Sequence, residues 1–180
     1  TPGFDLAVGG TIAANAIGPG TNLLAALTAP AAPAQPVPGW VVRLGNRYGQ
    51  TAAVIPVEGD DFAFALKSSH PQDEIRVEGP VVEVAPGARF SLTALFRKSE
   101  DFSGTAAVVI SLTRRTAAGT ETVDQFVVKE PNPNLRRKDG WLVAQNTFEV
   151  PAGGAAVQWQ IRGRFQGTVE IKDPALERKN

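Results

Sequence analysis

The sequence predicts an all-β fold, an antiparallel jelly-roll β-sandwich with an extended N-terminal arm, and three observations carry that prediction. Phe148 and Val150 lead into Pro151-Ala152-Gly153-Gly154, after which Val157, Trp159 and Ile161 alternate with Gln158, Gln160 and Arg162. Period-two alternation on either side of a Pro/Gly turn marks half-buried antiparallel strands. Strand-like runs recur along the chain at roughly the 8–12-residue spacing of a sandwich or barrel. No segment sustains a 3.6-residue apolar period over the ten or so residues that a helix requires.

Residues 1–38 are rich in Ala, Gly, Pro, Asn and Thr, with short apolar pieces at 4–8 and 23–27 and the breaker-rich run APAAPAQPVPG. Such a segment buries too little apolar surface to fold alone, so it is expected to be an extended arm or linker lying on the domain or on a neighbouring subunit. The sandwich is expected over 39–180, its first strand beginning as early as about residue 22. Strands are expected at 40–44, 50–57, 62–67, 75–78, 81–84, 89–97, 105–113 and 122–129, then three more after Trp141, about eleven in all. Residues 130–140, with two prolines and Arg136-Arg137-Lys138, are expected to form a long polar loop.

Composition narrows the function. Lys plus Arg (18) balance Asp plus Glu (18), so the global field that draws a nucleic acid or an anionic membrane is missing. Cysteine is absent, which removes disulfide and thiolate-metal chemistry. No apolar run approaches the roughly 18–20 residues of a membrane-spanning helix, so neither nucleic acid nor membrane is expected as a partner.

The residues NLL (22–24) with PGW (38–40), ARFSLTALFR (88–97), the Trp-x6-Phe-x-Val-Pro-x-Gly unit from Trp141 to Gly153, and GTVEIKDPAL (167–176) resemble carbohydrate-binding modules of the family 4 and family 9 type. These are galactose-binding-like jelly rolls usually attached to secreted polysaccharide-degrading enzymes. The resemblance spans most of 22–176 and implies a non-catalytic glycan-binding role, extracellular or displayed on a cell or virion surface, with a polysaccharide or cell-surface glycan as partner. The same fold also serves structural components of virions and surface assemblies, which is the alternative role. The resemblance further implies a structural calcium, for which Asp173 matches the last-strand carboxylate. Lys172 and Leu27-Thr28 depart from the pattern, and calcium needs six to eight oxygen ligands. No other cofactor is expected.

A catalytic reading finds no support in the residues. His70 lies in a Ser-Ser-His-Pro-Gln turn, Asp60-Asp61 and Glu100-Asp101 are adjacent pairs whose members point apart on a strand or into water on a loop, and Ser103 has no nearby base. Sugar recognition asks for planar polar groups and flat aromatic faces. With Val157, Trp159 and Ile161 facing the core, Gln158, Gln160 and Arg162 form an outward polar stripe. If residues 89–97 share that sheet, Arg97 joins it. The stripe is either a binding face or an ordinary solvated sheet surface. Trp141 falls outward by simple alternation, either as a binding ring or as a packed structural one. Tyr48, in a tight turn, is the best candidate for an exposed aromatic. Trp40 is expected to cap the sandwich and Trp159 to sit in the core.

Overall fold

The computed structural model describes residues 11–13, 19–24, 27, 39–45 and 48–180. The rest of the expected arm, including the apolar piece at 4–8, lies outside the described residues. Among the described residues eleven strands run in order: β1 (Thr11–Ala13), β2 (Val41–Leu44), β3 (Gln50–Pro56), β4 (Phe62–Ser68), β5 (Ile75–Glu83), β6 (Arg89–Lys98), β7 (Ser103–Thr116), β8 (Gly119–Lys129), β9 (Asn132–Arg136), β10 (Leu142–Glu149) and β11 (Gly154–Arg178). They form a jelly-roll β-sandwich with no helix among the described residues.

The strand β11 belongs to both layers. Its first half pairs with β5 on one side and β7 on the other, up to Gln166↔Ser103; its second half, from Gly167, pairs with β4 and β6. The first sheet is completed by β8 beside β7 and by β2 and β1 along the free edge of β5, where β1 runs parallel. The second reads β3-β4-β11-β6-β10-β9. Gly167 stands at the crossing with φ +101°, and a Cβ there would lie 2.9 Å from the Phe102 Cα. Only glycine takes that backbone at that closeness without strain.

Three expectations about elements are corrected. Only two strands follow Trp141, because 154–178 is continuous. The two strands expected at 75–78 and 81–84 are one, β5, in which Gly79 and Pro80 bulge opposite Trp159, so the breakers bend the strand rather than end it. The expected loop at 130–140 contains β9, an edge strand whose residues are all exposed; an edge position tolerates proline because one row of its backbone groups needs no partner.

Alternating residues of both sheets fill the space between them. Trp40 is fully buried there, its ring edge-on to Phe64 (5.3 Å) and Trp159 (5.5 Å), so it is a core residue rather than the expected cap. It directly precedes β2 and follows Gly39, which has φ +89°. Leu23 and Leu24 are also buried in this core. They are held by Asn22, whose Oδ1 accepts from the backbone N–H of Leu24 (3.0 Å) and Leu176 (3.1 Å) and whose Nδ2 donates to the Pro174 carbonyl (3.0 Å).

Candidate functional site

On the outer face of the first sheet, β11 is the central strand, so its outward residues have neighbours on both sides. Gln158 lies between Val81 and Ser111, Gln160 between Glu78 and Val109, and Arg162 between Arg76 and Ala107. Their side chains form one directed row. Gln158 Nε2 donates to the Gly79 carbonyl (3.0 Å), Gln160 Nε2 to Gln158 Oε1 (2.7 Å), and Arg162 Nε to Gln160 Oε1 (2.7 Å). The Arg162 guanidinium ends the row on Asp124, with Nη1 2.8 Å from Oδ2 and Nη2 bonded to Oδ1. Each donor fixes the orientation of the next amide, so the sense of the row is set from both ends.

The anchors of the row come from bulges. Gly79 sits in the β5 bulge, and Asp124 in a β8 bulge where residues 124–126 oppose Ser111 alone. Gln125 there has φ +54°, and Phe126 turns inward to meet Phe148 edge-on at 6.0 Å. A bulge re-aims a side chain, and here it points Asp124 at the sheet face. The Asp124 carboxyl is held below its ordinary range, chiefly by the hydrogen bonds from Arg162, with Arg76 adding attraction.

The row points outward, as alternation requires, yet Gln160 is 3% and Arg162 6% exposed, so the expected open polar stripe is corrected to a sealed one. The side chains lie along the strand and cover one another. Beside the row stand Ala107 and Val109, themselves buried, and next to them the exposed Val128. A cavity of about 150 Å³ flanks Arg162 and Arg164, with Glu74 on its wall. At the other end a larger recess of about 640 Å³ is lined by Val81, Glu83, Thr113, Arg115, Gly153 and Ala156.

Tyr48, 95% exposed, stands in the turn between β2 and β3. That turn is tied to the β4–β5 loop, since Gln50 accepts from the Gly45 N–H (2.7 Å) and donates to the Asp73 carbonyl (3.0 Å). Asp73 adjoins Glu74, so the Tyr48 turn borders the Arg162 end of the face.

Arg97 does not join this row. It lies on the second sheet, paired with Glu170 across β6 and β11, because the two halves of β11 serve different layers. Trp141 is there too. Its ring packs on Ala63 and Leu95, apart from the main core, with Arg97 4.5 Å and Lys172 4.7 Å from its centroid. It is fully buried, so its faces are covered by cations rather than presented to a ligand.

Asp173 is exposed at φ +50°, where the register of β11 against β6 shifts, and it borders a cavity with Asn22, Asp60 and Asp61. The donor set does not fit calcium. Asp61 is drawn to the Lys172 ammonium at 3.6 Å, and among the described residues no three His, Cys, Asp or Glu side chains group to hold a metal. His70 is exposed in its turn, its backbone N–H on Ser68 Oγ at 3.1 Å.

Sequence reasoning missed Asp124. Its signal was the break in alternation at Val123, Phe126 and Val127, which places an apolar pair where period two allows one.

No family model and no curated protein matches the chain. Among solved structures, the CBM22-1 and GH10 modules of the Clostridium thermocellum endo-1,4-β-D-xylanase 10B, complexed with xylohexaose, align at TM-score 0.53 and 11% identity. The alignment covers 79% of this chain and 26% of that one. The CBM22-1 xylan-binding domain from Paenibacillus barcinonensis aligns at 0.46 and 10% identity, over 78% and 86%. A CBM4 module aligns at 0.45 and 13% identity, over 78% and 86%. The first of these alignments shows a shared fold.

Proposed function

We propose that this chain is a non-catalytic carbohydrate-binding module, of the family 4 and family 9 type that its core and turn residues resemble, and that the outer face of its first sheet is the recognition surface. The observation that carries the reading is the directed row from the Gly79 carbonyl through Gln158, Gln160 and Arg162 to Asp124. Gln158 is the half-exposed member of the row, and an amide whose orientation is already fixed binds a hydroxyl without a further ordering cost. The exposed Val128 beside the row suits the C–H face of a sugar ring.

From Ala156 to Arg164 the strand runs about 27 Å at roughly 3.4 Å per residue, room for several sugar units of a linear glycan. Tyr48 at the border supplies one stacking ring. With few aromatic contacts, single-site affinity is modest, and display in several copies on a secreted or surface-anchored assembly raises it. Carboxylates on this face serve arginines: Glu78 binds Arg43 (3.1 Å) and Glu74 binds Arg76 (2.7 Å), which supports binding over hydrolysis.

Affinity electrophoresis and calorimetry against a panel of soluble polysaccharides test the reading, with the full chain, Gln160→Ala and Arg162→Lys. Binding by the full chain that weakens at least tenfold in either variant is expected. Equal binding by all three proteins moves the site elsewhere.

A further inference from the structure

The outer face of the second sheet holds a convergence of donors that the glycan row does not use. Three groups meet on one carboxylate, that of Glu58: Arg97 Nη1 lies 2.6 Å from Oε1, Trp141 Nε1 donates to Oε2 at 3.2 Å, and the Lys172 ammonium stands 3.5 Å from Oε2. Two of the donors are enclosed, for Trp141 is fully buried and the Lys172 side chain is 5% exposed. The acceptor is not enclosed; the Glu58 side chain is 55% exposed on the short loop between β3 and β4.

Arg97 and Lys172 each have a second carboxylate partner besides Glu58. Arg97 Nε is held by Glu170 at 2.6 Å in the β6–β11 register. Lys172 leans on Asp61 at 3.6 Å, and both cations lie against the Trp141 ring. That ring is wedged on Ala63 and Leu95, with Val57 and Val143 at its margin. The Glu58 carboxylate, by contrast, is fixed only by the three donors it satisfies. With Glu58 in place, Arg97 and Lys172 face Glu58, Glu170 and Asp61; with Glu58 swung out, two cations face two carboxylates and an oriented indole N–H is left without an acceptor.

We propose that Arg97, Lys172 and Trp141 form a carboxylate receptor occupied in the free protein by the chain's own Glu58, and that the uronate carboxylate of an acidic glycan takes its place. Charge-assisted bonds from guanidinium and ammonium select a carboxylate, and the indole N–H adds direction. A glycan uronate suits the site better than an acidic side chain of a protein partner. Of the large exposed apolar side chains among the described residues, Leu44, Val81 and Val128 lie on the first sheet, Tyr48 in a turn, and Leu135 alone on the second, at the edge strand β9, too little to anchor a protein interface. Beyond Leu95 and Val143, which pack on the ring, the outward positions on β6 and β10 are Ser91, Thr93, Gln145 and Thr147, matched to hydroxyls. The Glu58 carboxyl lies below its ordinary range, chiefly through the Arg97 hydrogen bond and then that of Trp141.

The inference stands apart from the row on the first sheet and survives if that face binds nothing. It is tested by titrating sodium glucuronate and galacturonate oligomers into the full chain, Glu58→Ala, Glu58→Gln and the double variant Glu58→Ala/Arg97→Met. Tryptophan fluorescence and calorimetry are the readouts, with glucose as the neutral control. Glu58→Ala is expected to bind the uronates at least tenfold more tightly than the unmodified chain, Glu58→Gln to fall between, the double variant to lose the gain, and glucose to bind none of them. Should Glu58→Ala misfold, Glu58→Gln alone decides by the same comparison. Uronate affinity unchanged in the Glu58 variants, or equal affinity for glucose, overturns the proposal. A Glu-rich peptide that binds Glu58→Ala more tightly than the uronates overturns the assignment to glycan.

Discussion

Asp124 and Arg162 make the polar row sensitive to acid at one end. The Asp124 carboxyl titrates below its unfolded value because the guanidinium bonds its charged form. A depressed folded pKa stabilises the protein above the unfolded value and loses that contribution as pH falls through the folded one. Asp124→Asn is therefore expected to be less stable than the unmodified chain at pH 7, with the gap closing below about pH 4. Because the Asp124 side chain is 57% exposed, the gap is small and narrows further with salt. Urea melts across pH 2–7 check it, and a gap unchanged at pH 2 assigns the loss to packing instead. Trp141 offers a second separation of causes. Replacement by Phe keeps the aromatic packing on Ala63 and Leu95 and removes the bond to Glu58, which is expected to cost about 1 kcal/mol, whereas Ala is expected to cost about 3–5 kcal/mol. Equal losses for the two variants contradict that division.

At the scale of elements, alternation in 157–162 was legible because each residue's face depends on its own strand. Gln158, Gln160 and Arg162 were found as one stripe for that reason. Which strands share a sheet depends on pairing far along the chain, and so Arg97 was placed beside the stripe although it lies on the opposite layer. Gly163 and Gly167 both lie inside β11 and mark close approach: a Cβ on Gly163 would fall 2.6 Å from the Phe165 ring, and one on Gly167 2.9 Å from the Phe102 backbone. Asp124 stayed hidden because a bulge shows in sequence only as a lapse in period. Gly167→Val is expected to destabilise the chain by more than about 3 kcal/mol, since positive φ and backbone overlap are both penalised there. Chemical denaturation checks this, and a loss under about 1 kcal/mol contradicts the description of the crossing.

For the whole molecule, a strand shared between layers gives the sandwich two outer faces with different chemistry. The first carries a row of amides and one guanidinium; the second carries cations closed over an indole by Glu58. The fold class was legible because turn spacing and alternation repeat over the length of the domain, whereas the identity of the binding face was not, because burial of Gln160 and Arg162 arises only once neighbouring strands are in place. The two faces are expected to behave independently, since β11 presents its 158–162 stripe on one sheet and Lys172 on the other. The most direct measurement is calorimetric titration of the best-bound polysaccharide from the panel into the unmodified chain and Gln160→Ala. The account predicts saturable binding by the first and at least tenfold weaker binding by the second, compared at a temperature where circular dichroism shows both folded. Saturable binding that Gln160→Ala leaves untouched, or no heat with any polysaccharide, contradicts it.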